Sequence, residues 1–540
     1  MGQPSPSPLT VPALVAEHVG ARPDAAAVIG GERVVSWSEL DRLGRWTAAW
    51  LVERGIARGD RVAVWLPNRL EWLALFLGLT RVGAALVAVN TRYRAAELEY
   101  ILERSGARLL VLQPDFGKID FRAVLREVRV GSLGALEGVA VVGAEGADRT
   151  DPSPILGMPT VRFDALEAAG ATPPPGAGEG DPDAPAVVFT TSGTTKAPKL
   201  VLHSQRTLAL HARRVARAHG LDRPGARLLA SLPLCGAFGL AAAISALAGG
   251  AALVVMDAFD GAAAAERIRR HAVTHAYGSD EMLRRMADAF PGHDPFPSLR
   301  LLGIAAFNQG AAEFARAAWE RRLPIVGLYG SSEAQALFAS QPLELPLDER
   351  IEAGGRPTSP DAEVRVRDVD TGQLLPPGAS GELELRSPTL FVGYMGDRVA
   401  TGEAFHADGF FKTGDVGHLR GDGSFVFEAR RGDAIRIAGY LVSPPELEEA
   451  LKRIPVVADA LVVGVPIAGQ TRICAFVIPV RGSEPREAEV IAGAAAIMAG
   501  FKVPARVWFV ESFPTTESPN GVKVQRAPMR ELALRNLAEG

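Results

Sequence analysis

Phe189–Ser204, FTTSGTTKAPKLVLHS, is the stretch on which the reading of the whole chain turns. It follows Ala184-Pro185-Ala186-Val187-Val188, an apolar, β-branched run with the composition of a buried strand. Thr190, Thr191, Ser192, Gly193, Thr194 and Thr195 then come in succession, a loop of hydroxyls and backbone N–H groups around one glycine. Oxyanions such as phosphates need donors on several sides, and small side chains let the backbone come close to them. Lys199 adds a point charge after Pro198 has stiffened the turn. The GxxxxGK[ST] phosphate loop is excluded: Pro198 stands at its second glycine and Leu200 at its magnesium-binding hydroxyl. A polar loop between strands is the competing interpretation, and residues far downstream decide against it.

Working outward, strands alternate with helices on both sides of this stretch. Ser36 and Glu39 make a capping box for a helix through Leu40, Leu43, Trp46 and Leu51 to Gly55. Arg61–Leu66 reads as a strand, Glu71–Leu79 as a helix, Ala85–Val89 as a strand, Ala95–Arg104 as a helix and Ala107–Leu112 as a strand. Short loops between such elements imply a parallel, doubly wound sheet, which binds ligands at the carboxyl ends of its strands. Ala168–Pro185 is rich in Pro and Gly and should be an exposed connector. A second α/β unit follows, with helices over Leu208–Gly220, Leu240–Ala248 and Ala263–His271 and strands over Arg227–Leu232 and Ala252–Met256. Beyond Glu352, Ala362–Val369, Gly381–Arg386 and Ser424–Glu428 suggest a small β region. After Arg431 comes a compact α+β module, with strands at Ala434–Ile437, Ala460–Val465 and Ile473–Val480 and helices at Pro445–Arg453 and Arg486–Ala499.

The expected fold class is therefore α/β: a large N-terminal domain over residues 1–431, made of two doubly wound subdomains plus a small β region, and a small mobile α+β domain over 432–540. A chain of 540 residues is too long for one core. Its 47% hydrophobic and 22% charged composition is that of an ordinary globular protein. Net charge is −4 with dispersed basic residues, which argues against nucleic acid as a partner. Cys235 and Cys474 match no metal-ligand spacing and are expected to be reduced thiols in a cytoplasmic protein. The N-terminus has neither a signal-peptide pattern nor the hydroxyl that myristoylation of Gly2 requires, and no apolar run is long enough to span a membrane.

Several separated motifs, in one order, resemble those of the adenylate-forming superfamily, which includes acyl-CoA synthetases, adenylation domains and beetle luciferases. TSGTTKAPK resembles the family's phosphate loop. Tyr329-Gly330-Ser331-Ser332-Glu333 is similar to its Tyr-Gly-x-Thr-Glu motif and Thr413-Gly414-Asp415 to its Thr-Gly-Asp. Arg430–Glu448 resembles the hinge segment, and Asn520-Gly521-Val522-Lys523 its C-terminal lysine motif. The resemblance implies that a carboxylic acid is joined to AMP with release of pyrophosphate and then passed to a thiol. ATP, Mg²⁺ and CoA are the implied co-reactants.

It also implies residue roles. Lys523 bridges the substrate carboxylate and the α-phosphate, offsetting the repulsion of two anions. Glu333 is a hard oxygen ligand suited to Mg²⁺, with Ser332 beside it. Thr191, Ser192, Gly193, Thr194, Thr195 and Lys199 hold phosphates, Tyr329 stacks on adenine, Asp415 takes the ribose hydroxyls, and Arg430 adds a sugar or phosphate contact. Ala306, Phe307 and Asn308 flank the nucleotide. Gly432 and Gly439 mark the hinge and thiol entrance, and Arg436 is placed to meet a CoA phosphate.

Departures from the family concentrate at the acid pocket. Lys196 replaces a glycine of the phosphate loop, and Gly432 replaces a usual Asp or Lys at the hinge. Gly236 stands where a histidine is common, and Gly303–Asn308 replaces a Ser-Gly-Gly-Ala-Pro run. Cys235, Gly236, Phe238, Ala305, Leu328, Gly330, Ala334 and Gln335 should then line a largely apolar cavity. With no aspartate for a substrate ammonium and no evident cation, an uncharged aliphatic or aromatic monocarboxylate is expected, since an unpaired buried charge is costly. A carrier-protein phosphopantetheine instead of CoA, a catalytically silent nucleotide-binding protein, and a homodimer all stay open.

Overall fold

The computed structural model of the protein describes residues 9–114, 116, 120–143, 153–164, 180–190, 198–305, 311–431, 435–437, 440–442, 444–467, 470–498, 500–518 and 521–539. Most of the Ala168–Pro185 connector lies outside them.

Among the described residues, one sheet of eight strands runs in the order Gly393–Tyr394, Leu200–Ser204, Pro185–Thr190, Ala85–Ala88, Arg61–Trp65, Leu109–Leu112, Gly138–Val141, Thr160–Arg162. Its central strands are parallel, as the alternation with helices requires, while Leu200–Ser204 returns antiparallel to Pro185–Thr190. The two strands on either side of residues 191–197 are thus antiparallel neighbours.

A second sheet has thirteen strands among the described residues. Its parallel centre holds Arg227–Ala230, Ala252–Val255, His275–Ser279, Leu301–Ala305 and Ile325–Ser331. The β region beyond residue 352 is not a separate layer. Ala339 pairs with Pro357 and Gly354 with Val426, so Gly381–Arg386, Phe411–Leu419 and Phe425–Arg430 continue the same sheet. Towards the far edge Ala26–Gly30 pairs in parallel with Ala252–Val255, and Arg33–Ser36, antiparallel to it, is the edge strand.

Helices between the sheets are apolar all round, the pattern of a buried helix. Leu70–Val82 (LEWLALFLGLTRV) is buried from Glu71 to Arg81, and Ala237–Gly249 is buried from Phe238 to Leu247. Leu75, Phe76, Leu77 and Leu79 are each at most 2% exposed, and full burial of such a side chain stabilises by roughly 1.5–3 kcal/mol. The charged residues on Leu70–Val82 are paired: Glu71 binds Arg69 at 2.6 Å, and Arg81 binds Asp41.

The C-terminal part has its own core. In the strand Val457–Ile467, Ala460 and Val462 face helices Pro444–Leu451 and Glu487–Ile497, while Leu461, Val463 and Val465 face Met529 and Ala533 of helix Arg526–Glu539. That two-sided alternation follows from the period-two geometry of a strand. No helix among the described residues is long and apolar enough to cross a membrane.

Candidate active site

The hairpin Ile325–Ser331/Gln335–Ser340 carries the Tyr-Gly-Ser-Ser-Glu motif at its turn. A register shift between Tyr329 and Ser331 bulges the first strand, a device that re-aims side chains. Gly330 is required there, because a Cβ would lie 2.6 Å from Ala336 Cα. On the return strand Gln335 and Leu337 have φ values of 63° and 65°, a left-handed conformation that non-glycine residues hold only when their surroundings over-determine it. Here the surroundings do so. The Gln335 amide donates to the Thr207 and Thr389 carbonyls at 3.0 and 2.9 Å, and the Thr358 hydroxyl donates to the Leu337 carbonyl at 3.1 Å.

Three buried histidines clamp the same hairpin. His203 Nε2 lies 2.8 Å from the Ser332 carbonyl, His211 Nε2 2.8 Å from that of Ala336, and His219 Nε2 3.1 Å from Ser340 Oγ. Burial holds His203 and His211 down to about 4 and His219 to about 3, so all three are neutral imidazoles near neutral pH. From His211 to His219 the helix Gln205–His219 rises ~12 Å, and from Ala336 to Ser340 a strand advances ~13 Å. Helix and hairpin therefore stay in step.

The Thr-Gly-Asp segment reaches the hairpin from the strand Phe411–Leu419. Gly414, at φ 69°, makes the turn, the Thr413 hydroxyl donates to the Leu383 carbonyl at 2.6 Å, and the Asp415 N–H donates to Thr413 Oγ1 at 2.9 Å. Asp415 Oδ2 accepts from the Tyr329 hydroxyl at 2.6 Å. Its Oδ1 forms an ion pair with Arg430 at 2.8 Å but is buried without an aligned hydrogen bond. Burial raises the Asp415 carboxyl above its ordinary value, against the opposing pull of Arg430 and the Tyr329 hydroxyl. Glu333 is close enough to act on Asp415 electrostatically.

Glu333 in turn meets the Leu200–Ser204 side of the first sheet through Tyr394, whose hydroxyl donates to Glu333 Oε1 at 3.0 Å. Lys199 Nζ sits 4.3 Å from the centre of the Tyr394 ring. Lys199, Glu333, Tyr329, Asp415 and Arg430 therefore converge. Two further tyrosines hold the described residues on either side of 191–197: Tyr93 Oη is 2.8 Å from Thr190 Oγ1, and the Tyr100 hydroxyl donates to the Pro198 carbonyl at 3.1 Å. Thr191, Ser192, Gly193, Thr194, Thr195 and Lys196 lie outside the described residues, as do Ala306, Phe307, Asn308, Gly432 and Gly439. Arg436 falls on the strand Ile435–Ile437, and Lys523 on Gly521–Val524 opposite Thr516; their side chains are outside the description.

At the expected acid pocket, Cys235, Phe238, Leu328 and Ala334 are buried in one apolar cluster against which Ala305 packs. Gly236 is the N-cap of the helix Ala237–Gly249. Asn68 pins this segment, accepting from the Leu234 N–H at 2.7 Å and donating to the Leu232 carbonyl at 2.8 Å. Burial pushes the Cys235 thiol up to about 11, so it is a small apolar surface and not a nucleophile. Gln335, 2% exposed, gives both bonds of its amide nitrogen to backbone carbonyls that fix the hairpin. Exposed Arg92 acts electrostatically on the Cys235 thiol beside the Thr91 peptide. Two surface hollows, ≈ 380 and ≈ 430 Å³, lie elsewhere.

Sequence reasoning missed Tyr394, the three histidines, Asn68, Tyr93 and Tyr100. Among the described residues no three metal-ligating side chains cluster. Glu333 alone still fits Mg²⁺, which binds through one or two carboxylates and completes its shell with substrate phosphates and water.

The AMP-binding enzyme family matches residues 15–395, and the AMP-binding enzyme C-terminal domain matches residues 446–519. An octahydro-indenyl-propanoyl:CoA ligase of Mycobacterium tuberculosis is 33% identical over 529 residues, covering 97% of this chain and 99% of that protein. The sulfoacetate–CoA ligase of Cupriavidus necator is 32% identical over 497 residues, covering 91% and 90%. The crystal structure of ATP-bound MatB from Rhodopseudomonas palustris superposes with a TM-score of 0.80 at 26% identity, covering 97% of this chain and 99% of that one. With both the large and the small domain matched in order, the chain belongs to the AMP-binding, adenylate-forming enzymes, among which it is like the acyl-CoA synthetases.

Proposed function

We propose that this protein is an AMP-forming acid–CoA ligase whose acid is an uncharged aliphatic or aromatic monocarboxylate. The observation that carries the reading is the continuous contact Lys199–Tyr394–Glu333, adjoining Tyr329–Asp415–Arg430, on elements that bound the hydroxyl-rich loop.

In the first reaction a carboxylate oxygen attacks the α-phosphorus of ATP, the bond to the bridging oxygen breaks, and pyrophosphate leaves. Lys199 and the hydroxyls of residues 191–195 take phosphate charge, and Glu333 would hold Mg²⁺, which supplies further charge neutralisation. Asp415 receives the ribose hydroxyls through Oδ1. Arg430, whose side chain is 56% exposed, moves off Asp415 or shares it as they arrive. Tyr329 offers its ring to adenine. Lys523 neutralises the approach of the two anions.

In the second reaction the CoA sulfur attacks the acyl carbonyl, the carbon–oxygen bond to AMP breaks, and the thiol proton passes to solvent. The two steps need opposite access to one carbonyl, which is the role assigned to residues 432–540 as a lid turning at Gly432, with Gly439 and Arg436 facing CoA. The apolar cluster of Cys235, Phe238, Leu328 and Ala334 favours an uncharged tail.

The test is acid-dependent ATP–pyrophosphate exchange over a panel of aliphatic, aromatic, dicarboxylic and sulfonated acids, repeated with CoA while AMP and thioester are followed. Exchange with neutral-tailed acids and equimolar AMP and thioester is expected. Exchange confined to doubly charged acids would overturn the substrate class and point to Arg92; no exchange with any acid would overturn the activity.

A further inference from the structure

Phe391–Met395 is a strap between the two halves of the candidate site. At one end the Phe391 N–H donates to the Glu333 carbonyl at 2.9 Å; at the other the Val392 and Met395 N–H groups donate to the carbonyls of Leu202 and Leu200, each at 2.8 Å. Gly393 and Tyr394 pair antiparallel with Leu202 and Val201, directly after the phosphate loop. The Tyr394 N–H donates to Thr401 Oγ1 at 2.8 Å, and its ring packs 4.9 Å from that of Phe391. The Tyr394 backbone and ring are thereby fixed, with 8% of the residue exposed.

From this fixed point one side chain serves two charges. Its hydroxyl donates to Glu333 Oε1, and its ring face seats the Lys199 ammonium. A lysine on a four-carbon stem has many rotamers to lose. The Tyr394 ring face, 4.3 Å away at its centre, gives that ammonium a fixed seat.

We propose that Tyr394 is a positioning residue that sets the separation and direction of Lys199 relative to Glu333, so that ammonium and carboxylate reach a nucleotide's phosphates in register. The inference rests on the reading of Glu333 as a metal ligand given above.

The experiment measures Mn²⁺ affinity by electron paramagnetic resonance with a non-hydrolysable ATP analogue present, metal-free affinity for the same analogue by calorimetry, and Tm, in wild type, Y394F, Y394L and E333Q. Y394F keeps the ring and loses the hydroxyl: Mn²⁺ binding should weaken about 10–100-fold, the usual effect of losing a partner that orients a metal ligand, with metal-free nucleotide affinity within about twofold. Y394L also loses the ring and should weaken metal-free nucleotide binding by about 3–10-fold more. Wild-type Mn²⁺ affinity in Y394F, with a loss in E333Q, would overturn the role of Tyr394 alone. Wild-type affinity in E333Q would overturn the metal reading beneath it. Parallel losses of Mn²⁺ affinity, nucleotide affinity and Tm in Y394F would make the residue merely structural and overturn the proposal.

Discussion

The Tyr329 hydroxyl donates to Asp415 Oδ2 at 2.6 Å and so joins two motifs that lie 86 residues apart. Burial raises the Asp415 carboxyl, and the Tyr329 hydroxyl is one of two groups holding it down. Tyr329→Phe removes that donor, so the Asp415 pKa should climb further and the acidic limb of the pH profile of kcat/KM for ATP should move to higher pH. The lost charge-assisted bond should also lower unfolding free energy by roughly 1.5–3 kcal/mol. A pH–rate profile and denaturant melts check both.

His203, His211, His219 and His275 should make the protein acid-sensitive over a defined window. Burial lowers them to about 4, 4, 3 and 4, whereas unfolded histidine titrates near 6.5. The unfolded state then binds more protons below pH ~6.5, so stability is full above that pH and falls as pH drops toward ~4. Each histidine accounts for ~1.4 kcal/mol per pH unit inside the window. Denaturant melts at pH 7, 6 and 5 should show stability falling, and His211→Gln should make the fall shallower. A pH-independent midpoint would contradict the buried neutral clamp.

Glu448 and Arg526 tie the C-terminal helix to its domain. Glu448 is fully buried; Arg526 Nη2 donates to its Oε2 at 2.8 Å and Arg526 Nη1 to the Val462 carbonyl at 3.0 Å. Because Arg526 begins the helix one residue after the strand that bears Lys523, Glu448→Ala should loosen that strand as well as take the carboxylate from a largely buried arginine. A loss of about 3 kcal/mol and faster proteolysis of the last helix are expected, with adenylation falling more than thioester formation. Tm, limited proteolysis and the two half-reactions measure this.

Much of the fold was legible because local signals and tertiary structure agreed. Arg61–Leu66 and Ala85–Val89, apolar runs bounded by turns, became the strands Arg61–Trp65 and Ala85–Ala88. Ser36 caps its helix by accepting from the Glu39 N–H at 3.2 Å, but Glu39 gives its carboxylate to Arg33, so the box is half made. What periodicity could not show was the joining of the later strands to the second sheet, because pairing such as Gly354 with Val426 depends on backbone groups and leaves no residue pattern. Motif residues Lys199, Glu333 and Asp415 carried their own signal. Tyr394 did not: a Gly-Tyr pair between turns has no period, and its importance lies in the two charges it touches. The equal spacing of His203, His211 and His219 was the one visible hint of the clamp.

The central claim is that one nucleotide site serves both half-reactions, with Lys523 needed for only the first. Lys523→Ala should lower acid-dependent adenylation by about 10²–10³, while transfer from supplied acyl-AMP to CoA stays near wild type. Equal losses in the two half-reactions would contradict it.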